Sequence, residues 1–232
     1  MNKSHFIQDN RTKYKSTPEM VHSVILRMMK IISSICQKHK IPFWLEYGTM
    51  LGAIRHNGFI PWDMEADIGI FRKDFERLSK VIEKELPNDI FFQTKETDPF
   101  YKQYGTIEAK FRDKYSNYTG FQKLHPEAKW HNGIQIDIFV YDAFSIDGDI
   151  LLFNNFERTL TNCKSFYKIE EIENLIEWKF EDTVFYIPEV YDLYLKRNYG
   201  NYLELPPEKY RAVEEVEPLS PCGHKEILYW NR

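Results

Sequence analysis

The sequence predicts an α+β fold: a mixed sheet flanked by helices, with a small helical annex towards the C-terminus. Apolar residues recur at helical spacing in residues 20–35 and 75–86, the mark of amphipathic helices. Aromatic and β-branched runs, punctuated by Gly, Pro and Asn, mark strands within 43–47, 63–70, 90–113 and 133–142. A chain of 232 residues is long enough for one well-filled core, or one core with a minor annex.

Residues 1–16 are polar and read as a flexible N-terminal segment. Thr17 then caps a helix, with Pro18 at its first position and Glu19 in the first turn. Met20, Val24, Met28, Ile31, Ile32 and Ile35 carry its apolar face up to His39. Residues 43–47 (FWLEY) read as a buried strand, broken by a Gly48-Thr49 turn; a short helix over 50–55 is stopped by Asn57-Gly58. An acidic strand follows Pro61. Asp74 caps a second amphipathic helix bearing Phe75, Leu78, Ile82 and Leu86, which Pro87-Asn88 ends. Residues 90–113 read as a hairpin or meander, 114–133 as a polar loop with interleaved aromatics, and 133–142 as a buried strand closed by a turn at Asp142. Residues 149–168 suggest a weakly patterned helix, 183–186 a short strand, and Pro188 to Gly200 a last helix. The domain then spans 17–210, and the Pro- and charge-rich 211–232, with Tyr229 and Trp230, reads as a loose tail.

Composition excludes several classes. A net charge of −4 gives no basic field, so nucleic acid is not an expected partner. Cys36, Cys163 and Cys222 are odd in number and far apart, which indicates neither a disulfide framework nor a zinc finger. The N-terminus lacks the apolar stretch of a signal peptide, and no run approaches the roughly 20 apolar residues of a membrane span. The expected location is cytoplasmic.

The chemistry lies in the acids. Asp63, Glu65 and Asp67 alternate with Met64, Ala66 and Ile68, so on an extended backbone all three carboxylates share a face. Such a row repels itself unless a cation sits within it, and Mg²⁺ (or Mn²⁺) takes oxygen ligands from carboxylates and phosphates together. Asp137, amid Ile134, Ile136, Ile138 and Phe139, is an acid in a buried strand, expensive unless paired or ligated. It completes the expected metal and catalytic set of Asp63, Glu65, Asp67 and Asp137. The Gly48-Thr49 turn ahead of a helix offers backbone N–H groups to a phosphate. Lys110 and Arg112 share one strand face and suit the phosphates of a donor, or else form a solvated edge. His56, His125 and His131 match no ligand spacing.

The run Tyr47-Gly48-Thr49-Met50-Leu51-Gly52-Ala53-Ile54-Arg55-His56, followed by Gly58-Phe59-Ile60-Pro61-Trp62-Asp63, resembles the LicD/fukutin-like family. Ile136-Asp137-Ile138-Phe139 resembles a second signature of that family, and the likeness runs from near residue 20 to near residue 210. The family's Asp-Asp-Asp-Ile-Asp is here Asp63-Met64-Glu65-Ala66-Asp67, which loses one carboxylate on the opposite face and lengthens another. The resemblance implies a nucleotidyltransferase-type fold. It also implies metal-dependent transfer of a phospho-alcohol, phosphocholine or a polyol phosphate, from a CDP-linked donor to a glycan or lipid-linked glycan in cell-surface polysaccharide synthesis. Gly48, Thr49, Arg55, Lys110 and Arg112 are then the substrate-binding residues. For a choline donor, Trp62, Tyr115, Tyr118 and Trp130 are the aromatics available for a cation–π contact. Two other readings stay open: a nucleotidyltransferase moving NMP from an NTP to a hydroxyl, and a catalytically inactive scaffold.

Overall fold

A seven-stranded mixed sheet carries the acids in the computed structural model, which describes residues 7–101, 107–159 and 165–224. The elements run α1 (Thr17–His39), β1 (Trp44–Leu45), α2 (Tyr47–His56), β2 (Ala66–Phe71), α3 (Arg72–Glu85), β3 (Ile90–Gln93) and β4 (Ala109–Asp113). Then come α4 (Thr119–Leu124), β5 (Gln135–Ile146), β6 (Asp149–Asn154), α5 (Asn155–Arg158), β7 (Tyr167–Lys168) and α6 (Ile169–Ile172). A separate hairpin, β8 (Leu175–Phe180) and β9 (Thr183–Pro188), and α7 (Tyr191–Tyr199) complete the chain. The fold is α+β, as predicted.

Strand order is β1-β2-β5-β4-β3, with β6 pairing β5 and β7. Only β2 and β5 run parallel among these pairs. A parallel neighbour needs a long crossover, and the chain between them supplies α3 and the β3/β4 pair. The sheet has two unlike faces. Ile136, Ile138 and Phe111 are fully buried and join the core with Ile25, Met28, Ile32 and Ile35 of α1 and Leu78 and Ile82 of α3. The residues alternating with them, Asp67, Asp137, Gln135, Lys110 and Arg112, form the polar face.

Several expectations change. Ser16, not Thr17, caps α1, in a reciprocal capping box with Glu19. The strand expected over 43–47 keeps only two residues, and Gly48-Thr49 lie inside the first turn of α2, whose N-cap is Glu46. Asp63 and Glu65 lie outside β2, in the loop that leads into it. Phe71, not Asp74, precedes α3; Asp74 is buried in its first turn, 2.6 Å from Arg77. Asp142 is no turn residue but lies within β5 and pairs with Arg72 at 2.7 Å. A short helix, α4, interrupts the 114–133 loop.

The largest departure is the stretch expected as helix over 149–168, which begins with β6 and continues through the four-residue α5 to β7. Asp147-Gly148 make it a hairpin, with φ of 51° and 91°. Paired positive φ values are the mark of a type I′ turn, whose twist suits adjoining strands. Residues 175–180 form β8, and β9 continues to Pro188, so α7 starts at Tyr191; Gly200 caps it as expected.

The described parts of the segments expected to be flexible or loose make firm contacts. Arg11 is buried and bonds Asp113 at 2.9 Å and the Pro218 carbonyl at 2.6 Å, tying residues near the two termini to β4. Residues 211–224, expected as tail, cross the domain: Glu217 pairs with Asn117, and Val216 and Cys222 are buried. Cys36 and Cys222 are free and buried, while Cys163, Tyr229 and Trp230 lie outside the described residues.

Candidate active site

The acids converge because of register. Asp67 and Asp137 are direct partners on β2 and β5, and Asp137 is the partner of Lys110 on β4. Three adjacent strands thus present Asp67, Asp137 and Lys110 in one row across the polar face. Glu65, two residues before Asp67, completes the group: Glu65, Asp67 and Asp137 bring carboxylate oxygens within 4.8 Å of one another.

The protein neutralises this group only in part. Lys110 Nζ lies 2.7 and 2.8 Å from the two oxygens of Asp137 and 3.2 Å from Gln135 Oε1, and the Gln135 amide donates to Glu65. Among the described residues, Lys110 is the only cation in contact with these three acids. Burial raises the pKa of Asp67 well above the ordinary range, and the charges of Glu65 and Asp137 add to it. Glu65 is raised by burial and Asp137, with Lys110 opposing. Asp63 is pushed up to about 6, chiefly by burial. One lysine against three acids, with two more nearby, leaves a deficit of positive charge. Hard oxygen donors this close fit a divalent cation of the Mg²⁺ or Mn²⁺ type.

The expected substrate residues divide into two groups. Gly48 is at the centre: a Cβ there would stand 2.8 Å from Asp63 Oδ2 and 3.9 Å from Asp67 Oδ2. Thr49 is buried beneath β2, and its hydroxyl accepts the Asp67 N–H at 2.7 Å, so its side chain holds the acid strand. Lys110 and Arg112 line one cavity with Glu65, although Arg112 also bonds Gln93 and the Gly133 carbonyl, each at 2.8 Å. Arg55 is not brought to the acids; it clamps the carbonyls of Tyr202 and Glu204 at 3.0 and 3.2 Å. Of the four aromatics, Tyr118 and Trp130 line the cavity of Lys110, Trp62 lines two other cavities, and Tyr115 is exposed.

Three residues take roles that spacing along the sequence does not assign them. His22 of α1 holds the Asp63 carbonyl at 2.7 Å and stacks on Phe59, fixing the loop that leads into β2. Tyr118 donates its hydroxyl to the Met64 carbonyl. Glu214 arrives on the C-terminal segment and lines the same cavity as Glu65 and Lys110. Partial desolvation raises its pKa, with Asp137 adding like charge and Lys110 opposing. No local pattern marks any of the three, because each acts through a contact distant in sequence.

A model of the LicD/FKTN/FKRP nucleotidyltransferase domain matches residues 40–190, the span that holds α2, β2, β4 and β5. The chain belongs to this family. Among its relatives, the lipopolysaccharide cholinephosphotransferase LicD of Haemophilus influenzae is 23% identical across 84% of this chain and 94% of its own length. The mouse ribitol-5-phosphate transferase FKTN is 25% identical across 82% of this chain, which spans only 35% of that protein. An uncharacterized Rickettsia prowazekii protein is 33% identical over 47% of each chain. Family membership agrees with the resemblance carried by the two sequence motifs.

Proposed function

We propose that the chain is a divalent-cation-dependent transferase that moves a phospho-alcohol from a CDP-linked donor to a hydroxyl of a glycan or lipid-linked glycan. The observation that carries this reading is the convergence of Glu65, Asp67 and Asp137 within 4.8 Å, in a chain of the LicD family. The two named relatives are, by name, a cholinephosphotransferase and a ribitol-5-phosphate transferase, both of which move a phosphorylated alcohol. Mg²⁺ or Mn²⁺ held by Glu65, Asp67 and Asp137 would neutralise the donor pyrophosphate and the departing CMP.

The chain's own groups supply the rest. Lys110 and Arg112 face the cavity beside Glu65, where donor phosphates would lie, and Lys110 is free to turn from Asp137 once a cation satisfies that carboxylate. Gly48 keeps the space beside Asp63 and Asp67 clear of side chain. Met64 is a core residue, 2% exposed, so its replacement of an acid takes nothing from the converging set. Glu65 is anchored by Gln135, which gives the longer acid a fixed position. Both points favour an active enzyme over an inactive scaffold. No described helix is long and apolar enough to cross a membrane.

The test is CMP release from CDP-choline, CDP-ribitol and CDP-glycerol with Mg²⁺ or Mn²⁺, comparing wild type with Asp67→Ala and Asp137→Ala. The expected result is metal-dependent CMP from one donor, lost in both variants. Pyrophosphate released from CTP or ATP instead would assign the chain to NMP transfer. Silence on every donor, together with no nucleotide-dependent Mn²⁺ binding, would make it a scaffold.

A further inference from the structure

Three cavities beside Glu65 and the loop into β2 share lining residues. One, lined by Glu65, Lys110, Arg112, Tyr101, Phe121 and Trp130, lies on the basic and aromatic side. A second, with Ile60, Trp62, Asp63 and Glu65, lies over the loop into β2, and it shares Ile60 and Trp62 with a third groove containing Tyr202 and Pro206. Glu214 lines both the first and the second, so it stands at their junction beside the acids.

Its segment is fixed on both sides. Gly120 donates its N–H to the Glu215 carbonyl at 3.0 Å, and Asn117 and Glu217 exchange backbone bonds at 3.0 and 2.8 Å. Arg211 bonds the Pro206 carbonyl at 2.7 Å and lies 5.5 Å over the Trp62 ring. Among the described residues the Glu214 carboxylate accepts no hydrogen bond, yet its charge acts on Asp63 and Glu65. Asp63, the other acid outside the converging set, is engaged by its own loop: Oδ1 accepts the Glu65 N–H at 3.4 Å, and Oδ2 sits against Gly48. Glu214 is therefore an acid carried on a fixed backbone, with a carboxylate that is open to solvent and uncommitted.

We propose that Glu214 is a catalytic residue, the general base that takes the proton of the attacking hydroxyl, and that this hydroxyl enters from the Trp62 side while the donor occupies the Lys110 side. This rests on the transferase reading above. The acceptor oxygen bonds to the phosphorus that bears the alcohol, and its proton passes to the Glu214 carboxylate. The bond from that phosphorus to the bridging oxygen breaks, and its electron pair leaves with CMP. A positioned base of this kind contributes roughly 10²–10⁴-fold to rate.

The test uses water as the acceptor and measures CMP release from whichever of the three CDP-alcohols wild type accepts, with Mn²⁺ affinity measured in parallel. Glu214→Gln keeps the shape and is expected to lose roughly 10²-fold or more in release while binding Mn²⁺ like wild type. Glu214→Ala is expected to regain part of the rate in added formate, which replaces the missing carboxylate. Wild-type release by Glu214→Gln, a fall in Mn²⁺ affinity matching the fall in rate, or no response of Glu214→Ala to formate would each overturn the role while leaving the transferase reading intact. No CMP from wild type with any donor, together with no nucleotide-dependent Mn²⁺ binding, would overturn the transferase reading and the Glu214 role with it.

Discussion

Glu46 and the Glu65–Asp67–Asp137 group are neighbours in the fold, and both take carboxylates out of water, but the protein treats them in opposite ways. Glu46 is wholly buried and surrounded by donors: Trp44 Nε1 at 2.6 Å, the Tyr167 hydroxyl at 3.0 and 3.1 Å, and the Tyr47 N–H at 3.3 Å. Burial still raises its pKa to about 7, with these bonds opposing the rise. Its own N–H supports the Asp67 carbonyl at 3.0 Å. The three acids on the polar face receive far less, one lysine and one glutamine amide between them. A buried acid ringed by donors is part of the framework, whereas buried acids short of donors mark where a ligand must supply the difference.

This contrast can be broken by substitution. Asp67→Asn should lower CMP release by roughly 10³-fold, the scale of losing a main electrostatic group, yet leave the metal-free melting temperature unchanged or higher, because a repelling charge is gone. A large drop in melting temperature would place Asp67 with Glu46 as framework. Glu46→Leu should do the reverse. Stranding the Trp44 and Tyr167 donors costs roughly 1–3 kcal/mol in denaturant unfolding, while Mn²⁺ affinity measured on the folded fraction stays within a few-fold of wild type.

The smallest effect, and the one that sharpens the comparison, is the dependence of stability on pH. Asp63 and Glu46 have folded pKa values raised to about 6 and about 7, and Glu65 and Asp67 are raised too. Unfolded carboxylates titrate near about 4. Between these values the folded state holds more protons than the unfolded, so stability falls as pH rises from about 4 to about 7. Thermal melts without metal should carry that decline, set against the opposite slope from His22, His56 and His131, whose pKa values burial lowers. Mn²⁺ should remove the share due to the site and leave the share due to Glu46; a pH profile identical with and without Mn²⁺ would deny the site its cation.

The parts of this molecule legible in sequence are those governed by local periodicity. Asp63, Glu65 and Asp67 could be assigned to one face from spacing alone, and Asp137 stood out as an acid among isoleucines. What spacing could not give was the row itself, because Asp67, Asp137 and Lys110 align only through the register of three strands. Residues 149–154 form a strand where a helix is expected because Leu151, Leu152 and Phe153 suit either state. The deciding signal is the Asp147-Gly148 turn, whose positive φ values set the hairpin. Glu214 had no signal at all: its segment is polar and Pro-flanked like a tail, and only the pairing of Glu217 with Asn117 brings it to the cleft.

The parallel pairing of β2 with β5 bears on how the molecule comes to exist. Asp67 and Asp137 pair across neighbouring strands, although α3, β3, β4 and α4 separate those strands along the chain. Contacts so remote along the chain are slow to form, since loop closure must come before the contact can stabilise anything. An unfolded or half-folded chain therefore offers a cation no preformed cage. Whatever ion the acids hold would leave the speed of folding alone and act by slowing escape from the native state, so the same pairing that creates the site also makes the site a latch on the fold.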